Sequence, residues 1–506
     1  MNTPIKTFYF PKTIENGDLF SEWEKEYELE SNMPDLQRLI RIDSAPIIES
    51  TQINGGNVQI QGENRFNVLY RSSEDEELHS VNIADAFSVS EDIKNNSEDL
   101  IPFAKIFCVY ISCKVISPRK LYVKAKNKIS LSIKENLPHT TPNINESNNV
   151  LFFKTDSIPM QTFVPPINKV FNIEEKITVD GTYPPIEKII FSNVKIVPLD
   201  LVKNIGSATL NTTVIFKVFY ENNGAYTLFS RSVPVSLTVD DEDINENTLI
   251  YYFLTIKNQS VSTEMDNYGE DRILKFEYSP ELVLFKIKET VEEIPTDVFS
   301  PTEILEIKTK TASFEELSGI VQRPFTVEKV FEIPDMDFSE IYDTSAVIDV
   351  EKLEQNEQGA VLNGICGISV LGKTEKGIDC VVFNVNFSQS FPEINDESKK
   401  ECSVIPIQAN ATISGRNMIN VRVSANATIR KYNERSCTFI SEYSPLSSRE
   451  QRDKSCITLY YPSKSDSVWD IAKEYGIDPK DIIKENKSSF TPNGALTDNI
   501  KAIFIP

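Results

Sequence analysis

Histidine is almost missing from this sequence. Of 506 residues only His79 and His139 are histidine. A Ser-His-Asp or Cys-His machine needs an imidazole held between a nucleophile and an orienting acid. His79 falls in an expected hairpin and His139 in an expected linker, so neither frames such a set. No HExxH, P-loop, GxGxxG or EF-hand spacing is present. Paired cysteines are also lacking: the seven (Cys108, Cys113, Cys366, Cys380, Cys402, Cys437, Cys456) are odd in number and form no CxxC. They read as reduced, inert thiols rather than metal ligands or a disulfide frame, with Cys437 and Cys456 expected to be the exposed ones. Basic residues are outnumbered, 52 against 75 acidic, for a net charge of −23. That excludes nucleic acid as a partner, because phosphate binding needs a basic face. No run approaches the roughly 20 apolar residues of a membrane span, and Met1 to Asp18 lacks the basic-then-apolar pattern of a signal peptide. The expectation is a protein retained where it is made.

What is present is ordinary globular composition, 40% hydrophobic and 25% charged. The length predicts about three or four domains. The acidic runs Glu74-Asp75-Glu76-Glu77 and Asp240-Asp241-Glu242-Asp243 lack alternating ligand spacing and a Gly hinge, and read as solvated loops. With so many carboxylates, no glycosidase-type pair stands out. The chain reads as non-enzymatic, with no cofactor and no metal site.

The body repeats itself. Arg65 to Tyr70 alternates in period two and returns through Val81 and Ile83; Val214 to Tyr220 returns through Phe229, Val233 and Val235; Ile365 to Leu371 returns through Val381 to Val385. Each is a β-hairpin pattern. Each is followed by a second pair of strands: Ile106 to Ile116 with Leu121 to Ile133, Ile273 to Tyr278 with Leu282 to Ile287, and Ile407 to Ile413 with Met418 to Ile429. Three tandem β domains follow, at 46–145, 160–290 and 324–434. Ahead of them, residues 1–45 form an expected helical segment, marked by Trp23, Tyr27, Leu36, Leu39 and Ile40 and split by Pro34. It packs on the first β domain or docks a partner. Asn136 to Asn149, Val291 to Thr309 and Arg435 to Lys454 read as linkers, the last bounding a stretch at 435–455.

The C-terminal stretch 456–506 reads as a small βααβ unit. Ile457 to Tyr461 alternates like a strand, and Asp466 is placed to cap a helix. Val468, Trp469, Ile471, Ala472 and Tyr475 form its apolar stripe, and Gly476 ends it. Asp478 and Pro479 open a second helix, and Ala502 to Pro506 supplies the last strand. The expected core is Trp469, Ile471, Ala472 and Tyr475.

Three phrases carry a resemblance. They are Gln61 to Tyr70 with Leu78-His79-Ser80-Val81, Ser117-Pro118-Arg119-Lys120 leading into Leu121 to Ala125, and Asp466 to Ala472. In that order they resemble the SPOCS/LysM family of endospore coat morphogenetic proteins, of the clostridial SipL type and related to SpoVID. The resemblance implies a mainly β protein of tandem β-sandwich-like SPOCS domains ending in a LysM-like module. It implies a non-enzymatic assembly factor in the mother-cell cytoplasm, at the forespore surface, tethering coat layers. Spore coat proteins would be its partners, and the C-terminal module would contact the coat-base ATPase SpoIVA. The module departs from the LysM pattern. Ser465-Asp466-Ser467 stands where Gly-Asp-Thr is usual, and Thr497-Asp498-Asn499 replaces Pro-Gly-Gln. Losing Gly removes a position tolerant of positive φ. Those loops edge the groove that reads N-acetyl sugars, so the change favours a protein partner over peptidoglycan. The groove-edge candidates are Lys464, Ser465, Asp466, Ser467, Ser489, Phe490 and Asn493. The alternative is a peptidoglycan-binding or wall-modifying protein targeted by this module.

Overall fold

A computed structural model describes residues 4–93, 97, 99–144, 151–334, 336–357, 359–450, 457–463, 466–491, 496–497 and 500–506. The first repeat comprises β1 (Ile5–Glu28), β2 (Leu36–Ser44), β3 (Ile47–Asn54), β4 (Asn57–Ser72), β5 (Leu78–Asp92), β6 (Leu100–Ser117) and β7 (Lys120–Pro142). One sheet runs β1-β7-β6. In the other, β4 is central, with β2 and β3 along one side and β5 along the other.

The second repeat follows the same path. Its strands are β8 (Phe152–Phe163), β9 (Ile167–Val170), β10 (Ile173–Thr178), β11 (Lys188–Asn204), β12 (Ser207–Asn222), β13 (Ala225–Asp240), β14 (Leu249–Met265) and β15 (Asp271–Phe299). Here β8, β9 and β10 line up along β15 as β1 does along β7. The third has β16 (Glu303–Glu332), β17 (Phe338–Asn356), β18 (Gly359–Thr374), β19 (Gly377–Phe391), β20 (Lys399–Gly415) and β21 (Met418–Ser448), in sheets β16-β21-β20 and β17-β18-β19. In each repeat the two sheets enclose apolar residues from both, as where Phe216 of β12 meets Phe276 of β15 with ring centroids 4.6 Å apart.

Two expectations are corrected. Residues 1–45 are not helical: Phe20 to Ile42 spans the end of β1, a turn and most of β2. The alternation Glu22, Glu24, Glu26 with Trp23, Lys25, Tyr27 is a strand pattern. The glutamates form a cross-strand ladder of ion pairs with Lys126, Lys124 and Lys120 of β7. Nor are the expected linkers loops over their described parts. Residues 136–142 lie in β7, 291–299 in β15, 303–309 in β16 and 435–448 in β21, while 145–149 and 451–454 lie outside the described residues. These segments extend the long strands beyond their domains as two-stranded ribbons. A ribbon needs one apolar face and tolerates a polar one, hence their linker-like composition.

The three ribbons pack together. Phe8 and Phe10 of the first, Met160 and Ile294 of the second, and Phe314, Cys437 and Phe439 of the third share one core. Phe10 stacks on Phe314 at 4.5 Å. Cys437 is therefore buried, contrary to expectation, and Cys456 lies outside the described residues. Polar links join the ribbons as well. Gln161 donates to the Leu317 carbonyl (3.2 Å) and accepts from its N–H (2.8 Å), and Thr141 donates to the Ile440 carbonyl at 2.9 Å.

A second shared core joins the β4, β12 and β18 sheets of the three repeats through Leu69, Phe219 and Leu371. These occupy matching positions, opposite Arg41, Phe191 and Asp343, each of which follows a β-bulge in its own repeat. Equivalent residues meeting at one place mark an approximately threefold arrangement of the repeats.

The C-terminal unit runs β22 (Thr458–Tyr460), α1 (Val468–Tyr475), α2 (Pro479–Glu485) and β23 (Ile503–Ile505), with β22 and β23 antiparallel. Among the described residues no helix is long and apolar enough to cross a membrane.

Candidate functional site

The C-terminal unit is built by local chemistry that the sequence partly announces. Ser467, not Asp466, is the N-cap of α1. It forms a capping box with Asp470, whose N–H donates to Ser467 Oγ (3.3 Å) while the Ser467 N–H donates to Asp470 Oδ2 (3.0 Å). Asp466 instead gathers three donors: the Tyr460 hydroxyl (2.8 Å), the Ser463 N–H (2.8 Å) and the Ser463 hydroxyl. Those bonds hold its carboxyl below the usual range. The same hydrogen bond, with burial, pushes the Tyr460 phenol up to about 12. Asp466 therefore ties β22 to the approach of α1. Gly476 ends α1 at φ 65°, a conformation that suits glycine. Pro479 opens α2 behind the Asp478 cap.

Ile471 and Ala472 are fully buried, and Trp469 and Tyr475 are half-buried. Phe490, expected at a groove edge, is instead a core residue that bridges to Leu496. Its burial follows from the unit's size, since so small a core needs a large side chain beneath the loop after α2. Ser489 is half-buried, and its carbonyl accepts from Thr497 N–H at 3.0 Å. Lys464, Ser465 and Asn493 lie outside the described residues. Asn486 was not singled out by sequence reasoning, yet its side chain accepts from Phe504 N–H (2.8 Å) and donates to the Phe504 (2.7 Å) and Ile482 (2.9 Å) carbonyls. It acts as a strand partner for β23 supplied from a helix end.

The unit is seated on the end of the second repeat's ribbon. Trp469 Nε1–H donates to Asp297 Oδ2 at 2.8 Å, and Lys473 Nζ lies 2.6 Å from Asp297 Oδ1. The Trp469 ring meets Phe299 edge-on at 5.0 Å, and Phe152 and Phe299 complete the core around Val468 and Ile503. Arg449 donates to the Glu474 carbonyl at 2.7 Å. One face of α1 is thus committed to the body of the protein. Sequence reasoning missed Asp297 and Phe299 because both fall in an expected linker.

Both histidines occupy structural positions. His79 stacks on Tyr70 (5.8 Å) and pairs with Asp75 at 2.9 Å. Burial would raise Asp75, but the Glu77 N–H and His79 outweigh it and hold its carboxyl near 2. Ligand atoms of Asp75, Glu77 and His79 lie within 4.8 Å of one another, close enough to surround an ion. Glu77, however, already holds the Lys188 ammonium at 2.9 Å. His139 sits in the ribbon core against Phe8, Phe10 and Phe439.

Residues 35–116 match a protein family described as SipL, SPOCS domain. The match runs from the start of β2 into the last residues of β6, so the chain carries a SipL-type SPOCS domain in its first repeat. Neither the curated proteins nor the solved structures contain a match.

Proposed function

We propose that this chain, which bears a SipL-type SPOCS domain and is thereby coat-related and tied to sporulation, is a non-enzymatic assembly protein of the spore coat. It would work in the mother-cell cytoplasm at the forespore surface, tethering coat layers through its tandem β repeats. The observation that carries the reading is the SPOCS match at 35–116. The βααβ order of the C-terminal unit supports a LysM-like module, and its altered loops support a protein ligand, a SpoIVA-type ATPase, over a glycan. Because Trp469 and Lys473 face Asp297, the partner would meet the loop side of the module, where Lys464, Ser489 and Asn493 lie in sequence.

The test is capture by the immobilised full-length chain from sporulating cells, beside binding to washed sacculi. Recovery of a coat-base ATPase, reduced by combined Lys464→Ala, Ser489→Ala and Asn493→Ala, is the expected result. Retention on sacculi without a protein partner would establish the competing wall-binding reading. Loss of sacculus turbidity would establish a wall-modifying enzyme.

A further inference from the structure

Where the three repeats meet, β6, β14 and β20 contribute to the wall of a cavity of about 1400 Å³. Its lining includes Lys105 of β6, Tyr251 and Phe253 of β14, Glu401 of β20 and Arg430 of β21. Lys105 Nζ lies 4.3 Å from the centroid of the Phe253 ring. The Arg430 guanidinium lies 5.2 Å over Tyr251 and 5.8 Å from Phe253. Two cations therefore share one aromatic cluster, a geometry that partly offsets their burial.

Asp18, Glu49, Glu281, Glu351 and Glu401 also line the cavity, but among the described residues none of these carboxylates pairs with Lys105. Glu401 divides its carboxylate between Lys134 at 3.0 Å and Arg430 at 3.3 Å, and also accepts from the Tyr432 hydroxyl at 3.3 Å. Lys105 has no hydrogen-bond or ion-pair partner among the described residues. Burial, with repulsion from Arg430, pushes its ammonium down to about 7. A chain of net charge −23 thus keeps an amine without a counter-charge at the junction of its repeats, one that an anion bound beside it would hold protonated. Leaving a partly buried charge unpaired beside the buried Arg430 is unfavourable, and a bound anion relieves it.

We propose that this cavity binds a small anion, a carboxylate- or phosphate-bearing molecule held between Lys105 and Arg430 with its apolar part against Tyr251 and Phe253. The cavity is larger than the roughly 300–1000 Å³ usual for a small-molecule pocket. The ligand therefore fills the Lys105 end and leaves the rest to water. Because the wall comes from all three repeats, occupancy ties them together. The site is independent of the coat-assembly reading, which rests on the SPOCS match and the C-terminal unit.

Thermal unfolding of the full-length protein tests it, with benzene-1,3,5-tricarboxylate and inorganic pyrophosphate as probes at millimolar concentration and matched ionic strength. At least one probe is expected to raise Tm by about 2–4 °C. The shift should vanish in Lys105→Met and persist in Lys105→Arg. Lys105→Met, freed of an unpaired and partly buried amine, should unfold without ligand no earlier than the wild type; if it does not fold, Lys105→Gln takes its place. No shift with either probe, or an equal shift in the Met or Gln variant, overturns the proposal. A shift given by a hexaglutamate peptide and by neither probe also overturns it, in favour of an acidic chain segment.

Discussion

Arg41 and Asp343 hold the same register position in the first and third repeats, and the two side chains form a buried ion pair. Arg41 Nη1–H donates to Asp343 Oδ2 at 2.8 Å, with both side chains about 5% exposed. Lys217 of the second repeat reaches the other oxygen at 2.7 Å, so each repeat sends a residue to one carboxylate. Burial alone would raise Asp343, but Arg41 and Lys217 outweigh it and keep the group ionised. The remaining equivalent position is Phe191, whose ring lies 5.0 Å beneath the Arg41 guanidinium. Three repeats of one plan are thereby made non-interchangeable.

Asp343→Asn should destabilise the protein by about 1.5–3 kcal/mol, because Arg41 and Lys217 both lose a charged acceptor and Arg41 is left with Asp43 alone, 2.5 Å from its Nε. The double change Arg41→Leu with Asp343→Leu should recover most of that loss, since the partners left over, Lys217 and Asp43, are both partly exposed and can turn to solvent. Urea unfolding midpoints of the three proteins decide it. An Asp343→Asn variant as stable as wild type would show that the pair does not hold the repeats together.

A glycine near the same strands gives a second prediction. Gly364 of β18 lies under a bulge in β17, where a Cβ would collide with the Asp349 carbonyl oxygen and touch the Phe387 ring. Gly62 meets the same obstacle at the matching place in the first repeat, against the Ile47 carbonyl and Phe87. The second repeat has Thr212 there, with its hydroxyl donating to the Val235 carbonyl at 2.8 Å. Gly364→Ala should therefore cost about 1–3 kcal/mol by overpacking, read from thermal or urea unfolding. Gly319→Ala, with only the Lys431 side chain near, should be close to neutral.

Those bulges also explain how much of the fold was legible. The hairpins β4–β5, β12–β13 and β18–β19 keep strict period two, and their pattern shows in the sequence. In β2, bulges between Leu36 and Arg38 and between Leu39 and Arg41 insert extra residues. Leu36 is then buried in the first repeat's own core and Ile40, four residues on, in the core shared between repeats, a spacing that imitates a helix. The ribbons escaped for another reason, since their apolar residues are sparse and are covered only by other repeats. In the C-terminal unit the helices and Gly476 were readable from capping chemistry. Phe490's burial and the Asp297 contact depend on long-range packing, which no local pattern records.

His139 makes the ribbon core sensitive to pH. Burial, with Lys310 nearby, pushes its imidazole below the ordinary value, and its buried Nε2 finds no hydrogen-bond partner among the described residues. The unfolded chain therefore takes up the proton first as pH falls. Stability from this group is complete above about pH 6.5 and is lost as pH drops toward the depressed folded value. Tm of the wild type should fall between pH 7.5 and 5.5 by more than that of His139→Phe, whose ring suits the surrounding Phe8, Phe10 and Phe439. Parallel Tm curves for the two proteins would exclude the effect.

The seat of the C-terminal unit rests on Asp297, and it can be loosened without touching the unit's own core. Asp297→Ala removes the acceptor of the Trp469 indole and the counter-charge of Lys473, bonds to a charged group worth about 1.5–3 kcal/mol each when buried and less at this half-exposed seat. Phe152 and Phe299 still cover Val468 and Ile503, so the unit should remain folded but detach more often. In a Trp23→Phe background, Trp469 is the sole tryptophan and reports directly: its emission should shift to the red in Asp297→Ala while far-ultraviolet circular dichroism stays unchanged. If a partner competes for the α1 face, Asp297→Ala should also bind it more tightly; if it uses the loop side, affinity should not change. Unaltered emission in Asp297→Ala would show that the Phe152 and Phe299 contacts, with the Arg449 bond to the Glu474 carbonyl, are enough to seat the unit.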